Sequence, residues 1–93
     1  MAVKQDIQGN KGVFYYDVEG ERKAEMTYSN AGPDKIIIDH TEVDESLRGE
    51  GVGYKLVEAA VNYARENQLK ILPLCPFAAA VFRKRDEYSD VLF

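Results

Sequence analysis

The chain reads as an α+β domain, a mostly antiparallel sheet closed by one βαβ unit. Two observations predict this. The hydrophobic period is 2 through the first half and close to 3.6 in the second. A glycine-rich turn, Arg48-Gly49-Glu50-Gly51-Val52-Gly53, stands where the period changes.

The first half supplies strands. Val3–Gln8 is a short one. Val13-Phe14-Tyr15-Tyr16-Asp17-Val18 is rich in β-branched and aromatic residues, and Glu19-Gly20-Glu21 turns the chain. Arg22–Ser29 then alternates, with Ala24, Met26 and Tyr28 on one face and Lys23, Glu25, Thr27 and Ser29 on the other. Asn30–Asp34 is a second turn. Lys35–Val43 is a strand built on Ile36, Ile37 and Ile38, and period 2 puts His40 on the face of Ile36 and Ile38.

The second half changes geometry. Val52, Leu56, Val57, Ala60, Val61 and Ala64 form one apolar stripe, so Val52–Glu66 reads as an amphipathic helix. Leu69–Cys75 is nearly all apolar and reads as a strand buried on both faces. Pro76 suits the first position of a helix running to about Arg85, and Asp86–Phe93 forms a short turn or helix. The predicted order is β-β-β-β-α-β-α.

Composition narrows the function classes. With 93 residues the expectation is a single domain spanning residues 1–93. Sixteen acids against 12 bases leave a net charge of −4, which disfavours general nucleic-acid binding. One Cys and one His exclude an intramolecular disulfide and a Cys/His zinc site within one chain, so no metal is expected. The apolar runs are too short to span a membrane, and no signal-peptide core is present at Met1–Asp6. The expected location is therefore the cytoplasm.

The glycine turn carries the sharpest chemical signal. The first amides of a helix have no internal partners and sit at the positive end of its dipole, so a glycine turn there suits phosphate oxygens. It is not a P-loop, because no Lys-Ser/Thr pair follows. It is not a dinucleotide fingerprint either: the third glycine position holds Tyr54 counted from Gly49, or Leu56 counted from Gly51. The structural alternative is a tight connection with no ligand.

Arg48-x-x-Gly51-x-Gly53 resembles the R/Q-x-x-G-x-G/A motif of the GNAT-type N-acetyltransferase superfamily. Ile38-Asp39-His40-Thr41-Glu42-Val43, Cys75-Pro76-Phe77-Ala78 and Glu87-Tyr88-Ser89-Asp90 resemble segments of a subgroup of very small members. Arg85-Asp86 stands where that subgroup often has His-Pro. The resemblance covers Ile36–Leu92 and implies a reduced GNAT fold. It implies an acetyl-coenzyme A-dependent N-acetyltransferase acting on an amine, with a non-catalytic coenzyme A-binding module as the alternative. It also implies a splayed strand at Glu42–Asp44 whose backbone pairs with the pantetheine arm.

The cofactor residues expected on this basis are Val43, Arg48, Gly49, Glu50, Gly51, Val52, Gly53, Tyr54, Pro76, Phe77, Arg83 and Lys84. Arg83-Lys84-Arg85 has the alternative reading of a solvated helix end facing the dipole. Two residues are candidates for the chemistry. Cys75, before Pro76, falls at a helix N-cap, where a thiol's pKa is lowered; it would accept the acetyl group or move a proton, or else be a small buried side chain. His40 would deprotonate the amine, or else be a strand-edge histidine with a structural role. Tyr88 is read as packing the C-terminal turn, with an acid role as the alternative. No helical stretch precedes the glycine turn to hold an acceptor, so the acceptor site is expected to be open or completed by another subunit. The expected state is a monomer or weak homodimer.

Overall fold

A computed structural model describes residues 2–93. The strands are β1 (Lys4–Gln8), β2 (Lys11–Val18), β3 (Glu21–Asn30), β4 (Lys35–Val43) and β5 (Lys70–Pro73), and the helices are α1 (Val52–Asn67) and α2 (Pro76–Lys84). Short 3-10 segments, Glu45–Leu47 and Asp86–Val91, precede α1 and follow α2. The sheet order is β1-β2-β3-β4-β5; every neighbouring pair is antiparallel except β4 with β5, which is parallel. The predicted order of elements holds.

The core lies between one face of the sheet and the helices. Phe14, Ala24, Met26, Tyr28, Ile36, Ile38 and Ile71 bury that face. The stripe from Val52 to Ala64 covers it, each of its six residues at most 1% exposed. The other face, including Tyr15, Thr27, Ile37 and Leu72, has no helix over it and stays partly exposed. This corrects the expectation for β5. Only Ile71 is buried, because both helices pack on one side.

A second correction concerns the phase of β4. Thr27 pairs with His40, but Tyr28 pairs with Ile38, so Asp39 is an extra residue in β4. Such a bulge shifts the alternation by one. Ile36 and Ile38 face the core before it; Thr41 and Val43 turn inward after it. His40 does not share the face of Ile36 and Ile38. It points off the open face, where its Nε2 lies 3.9 Å from Glu42 Oε1. The Thr27 hydroxyl donates to the Asp39 carboxylate across the bulge on that same face.

Close packing fixes the other end of the sheet. The Tyr28 ring occupies the space where Gly12 would carry a side chain, and its hydroxyl accepts a 2.8 Å hydrogen bond from Gln5 Nε2. The C-terminal segment is latched to α1 by Arg65, whose Nε and Nη2 donate to the two oxygens of Asp90 at 3.0 and 2.9 Å. Tyr88 is buried against Phe82, ring centroids 6.1 Å apart.

Two outcomes follow. A Cβ at Gly12 would lie 2.2 Å from Tyr28 Cζ, so Gly12→Ala should lose about 1–3 kcal/mol in urea unfolding. The Arg65 hydrogen bonds hold the Asp90 carboxyl below its ordinary range. Its contribution is therefore complete above the unfolded-state pKa and is lost as pH falls through the lower folded-state value. The acid limb of a thermal-melting series should be shallower in Asp90→Asn than in the wild type.

Candidate active site

The site begins where β4 and β5 part. Their pairing runs from Lys35–Lys70 to Ile38–Pro73 and stops there. The amides of Leu74 and Cys75 both donate to Ile38 O, at 2.9 and 3.1 Å. The chain then turns into α2 with Pro76 at its first position and Cys75 as N-cap, in extended conformation at φ −68° and ψ 129°. The strand is thus shorter than Leu69–Cys75, because its last two residues are spent on this turn.

Residues 39–43 of β4 have no β5 partner. Asp44 N donates to Lys23 O on the β3 side, at 2.8 Å. Backbone groups alternate sides along a strand. The N–H and C=O of Val43 and Thr41 therefore face the gap; those of Val43 are open to an extended ligand, while the Thr41 amide lies against the Cys75 sulfur.

The gap opens onto a groove of about 400 Å³ lined by Val43, Leu47, Arg48, Gly49, Gly51, Val52, Gly53, Tyr54 and Phe77. Gly49 (φ 82°) and Gly51 (φ 73°) take left-handed conformations that a side chain would strain. Gly51 caps α1 without a side-chain acceptor, and the first internal helix bond is Lys55 N to Gly51 O. The amides of Val52, Gly53 and Tyr54 therefore lack intrahelical partners and sit at the positive end of the α1 dipole. Gly53 serves a different purpose: a Cβ there would lie 2.5 Å from Phe77 Cζ. Its absence lets α2 bring Phe77 onto α1, where the ring meets Tyr54 edge-on at 5.8 Å.

Cys75 faces the gap from the α2 side. It is 5% exposed, and its Sγ donates to Thr41 Oγ1 at 3.3 Å. Burial pushes the thiol pKa up, but the Thr41 hydroxyl, the Ala78 and Phe77 amides and the Thr41 backbone outweigh it, and the net displacement is downward.

The expected residues divide clearly. Val43, Arg48, Gly49, Gly51, Val52, Gly53, Tyr54 and Phe77 come together in the groove. Pro76 and Cys75 stand at its α2 edge. Glu50 is exposed, and its amide is taken by Leu47 O at 3.2 Å. Arg48 lines the groove, with its guanidinium 2.7 Å from Glu45 Oε1. Arg83 and Lys84 lie exposed in the last turn of α2, away from the groove lining. Arg85 instead reaches back, its guanidinium carbon 5.1 Å from the centre of the Tyr54 ring. Leu47 and Thr41 were missed. Leu47 sits in a segment without a clear period, and Thr41 becomes visible only once the bulge is known.

Residues 13–91 match the family model described as GCN5-related N-acetyl-transferase. The chain belongs to that family. Acetyl-coenzyme A is the family's cosubstrate. A GCN5-like candidate N-acetyltransferase from Staphylococcus aureus, solved by NMR, is 42% identical, covering 97% of this chain and 87% of that one, with a TM-score of 0.73. A ribosomal-protein-alanine N-acetyltransferase from Brucella melitensis is 17% identical over 92% of this chain and 64% of that one, TM-score 0.66. A GNAT family acetyltransferase from Elizabethkingia anophelis, solved with acetyl-coenzyme A bound, is 14% identical over 69% and 42%, TM-score 0.61. At these identities the last two show a shared fold. The search of curated proteins finds no match. No helix among the described residues is long and apolar enough to cross a membrane.

The Gly53–Phe77 contact makes a measurable claim. Gly53→Ala should cost about 1–3 kcal/mol in a folded Phe77 background and markedly less beside Phe77→Ala. A double-mutant cycle in urea reads the coupling directly.

Proposed function

We propose that the chain transfers the acetyl group of acetyl-coenzyme A to an amine at the gap between β4 and β5. One observation carries the reading: the unpaired edge of β4 and the uncapped start of α1 open onto a single groove. The amides of Val52, Gly53 and Tyr54 suit a pyrophosphate, with Arg48 and Arg85 the nearby cations. The gap-facing N–H and C=O of Val43 and the carbonyl of Thr41 suit the amide-bearing pantetheine arm, which would lie as an added strand. Val43, Leu47 and Phe77 supply apolar walls. The whole chain, residues 1–93, acts as one such domain.

The bound thioester supplies an activated acetyl group. The protein's own groups then divide by face. Cys75 stands at the gap on the helix side, its thiol drawn toward ionisation, and is the reactive group there. His40 stands on the open face, beside Thr41 in the chain, and takes the proton of an amine that enters from that face. Glu42 is its nearest carboxylate. Arg83 and Lys84 contribute through the field at the end of α2 rather than by contact.

The test is release of free coenzyme A from acetyl-coenzyme A, assayed with polyamines, amino acids and basic peptides. Amine-dependent release is expected, reduced at least about 100-fold in Cys75→Ala. The pH profile of release should differ between the wild type and His40→Ala, and an unchanged profile would remove His40 as the base. Mass spectrometry after mixing with acetyl-coenzyme A decides how Cys75 acts: an acetyl adduct marks a nucleophile, and its absence a proton carrier. Release that ignores every amine would overturn transfer. A coenzyme A-dependent rise in melting temperature with no release would leave a binding module.

A further inference from the structure

We infer that Thr41 is a positioning residue that holds the Cys75 sulfur across the gap and tunes its ionisation; the inference rests on the role proposed above for Cys75. The geometry is specific. Sγ lies 3.3 Å from Thr41 Oγ1, a contact between residues 34 positions apart in the chain. It bridges the two elements that separate at Ile38, β4 and the start of α2. It is the only side-chain hydrogen bond across the gap among the described residues.

The contact depends on the bulge at Asp39. In an unbroken β4, His40 would point to the helix side and Thr41 to the open face. The extra residue reverses both. One irregularity therefore delivers a hydroxyl to the sulfur and sends the imidazole to the opposite face. A bulge also interrupts pairing with β3, and here it lies at the level where β5 departs on the other side.

A hydroxyl suits both protonation states of a thiol. The neutral S–H donates to Thr41 Oγ1. When the proton leaves to water, the hydroxyl rotates and donates its own hydrogen to the thiolate. Threonine keeps this partner in place because its branched Cβ restricts rotation about χ1. The other groups near the sulfur are the neutral amides of Phe77 and Ala78 on α2 and the backbone of Thr41, and no charged side chain contributes to the displacement of its pKa. His40 and Glu42, the titratable residues that flank Thr41 on β4, are both exposed on the other face.

The experiment is a pH titration of thiolate ultraviolet absorbance in the intact chain, with the same titration of Cys75→Ser subtracted to remove the tyrosines. Thr41→Val, close in shape but without the hydroxyl, should raise the midpoint by about one pH unit, and Thr41→Ser should restore it. Thr41→Ala serves as a second hydroxyl-free variant if Thr41→Val unfolds; circular dichroism checks each fold. An unmoved midpoint in a folded hydroxyl-free variant would overturn the inference. So would equal shifts in Thr41→Ser and Thr41→Val, which would make the effect one of packing. The readout needs no acetyl-coenzyme A. A moved midpoint together with full transfer activity in Cys75→Ala would therefore refute the role of Cys75 and leave its pairing with Thr41 intact.

Discussion

The carbonyl of Ile38 accepts two amides, those of Leu74 and Cys75, and the site grows from that shared acceptor. A parallel pair that continued past Ile38 would use one amide per carbonyl and seal the two strands together. Spending two on one carbonyl turns the chain out of the sheet. β5 ends, α2 starts at Pro76, and the rest of β4 is left with a bare edge. The bulge at Asp39 follows immediately and sets which groups that edge presents. A bare strand edge is a hazard on an outer strand. Here it is interior to the sheet order, flanked by β3 on one side and by α2 on the other, so only a narrow ligand can reach it.

Two helix starts converge on this gap. α1 brings three amides without intrahelical partners, and α2 brings Cys75 and Phe77. They approach closely because Gly53 has no side chain. Their dipoles place positive potential at the groove of a chain whose net charge is −4. Local field, not net charge, governs attraction of a phosphorylated ligand. Arg83 and Lys84 of the basic cluster stand exposed in the last turn of α2 and are not among the groove-lining residues. The basic residue that reaches the turn is Arg85, carried there by the face of Tyr54.

Elements with a simple period were legible from sequence. The Ala24-Met26-Tyr28 alternation, the Val52–Ala64 stripe and the Cys75-Pro76 start of α2 all stand as read, because each reports burial on one face. The glycine turn was legible as the junction that opens α1, yet its three glycines differ in purpose: Gly49 and Gly51 for backbone conformation, Gly53 for contact with Phe77. The bulge was not legible. Ile36, Ile38 and His40 satisfy a regular alternation, and the break lies in pairing with β3, a non-local choice. That one residue hid Thr41 and misplaced His40. The apolar run Leu69–Cys75 suggested two-sided burial, but hydrophobicity alone cannot say that both helices lie on one face. Tyr88 was read as packing, and it packs on Phe82.

On the function proposed here, the gap between β4 and α2, with the adjoining turn, receives acetyl-coenzyme A. The most direct measurement is a titration of backbone amide NMR signals with acetyl-coenzyme A. Saturable shifts are expected at Thr41, Val43 and Gly51–Tyr54, with β1 and the outer half of β2 unmoved. Shifts centred on β1 and β2, or none at the Thr41 and Val43 amides while the ligand binds, would contradict that placement.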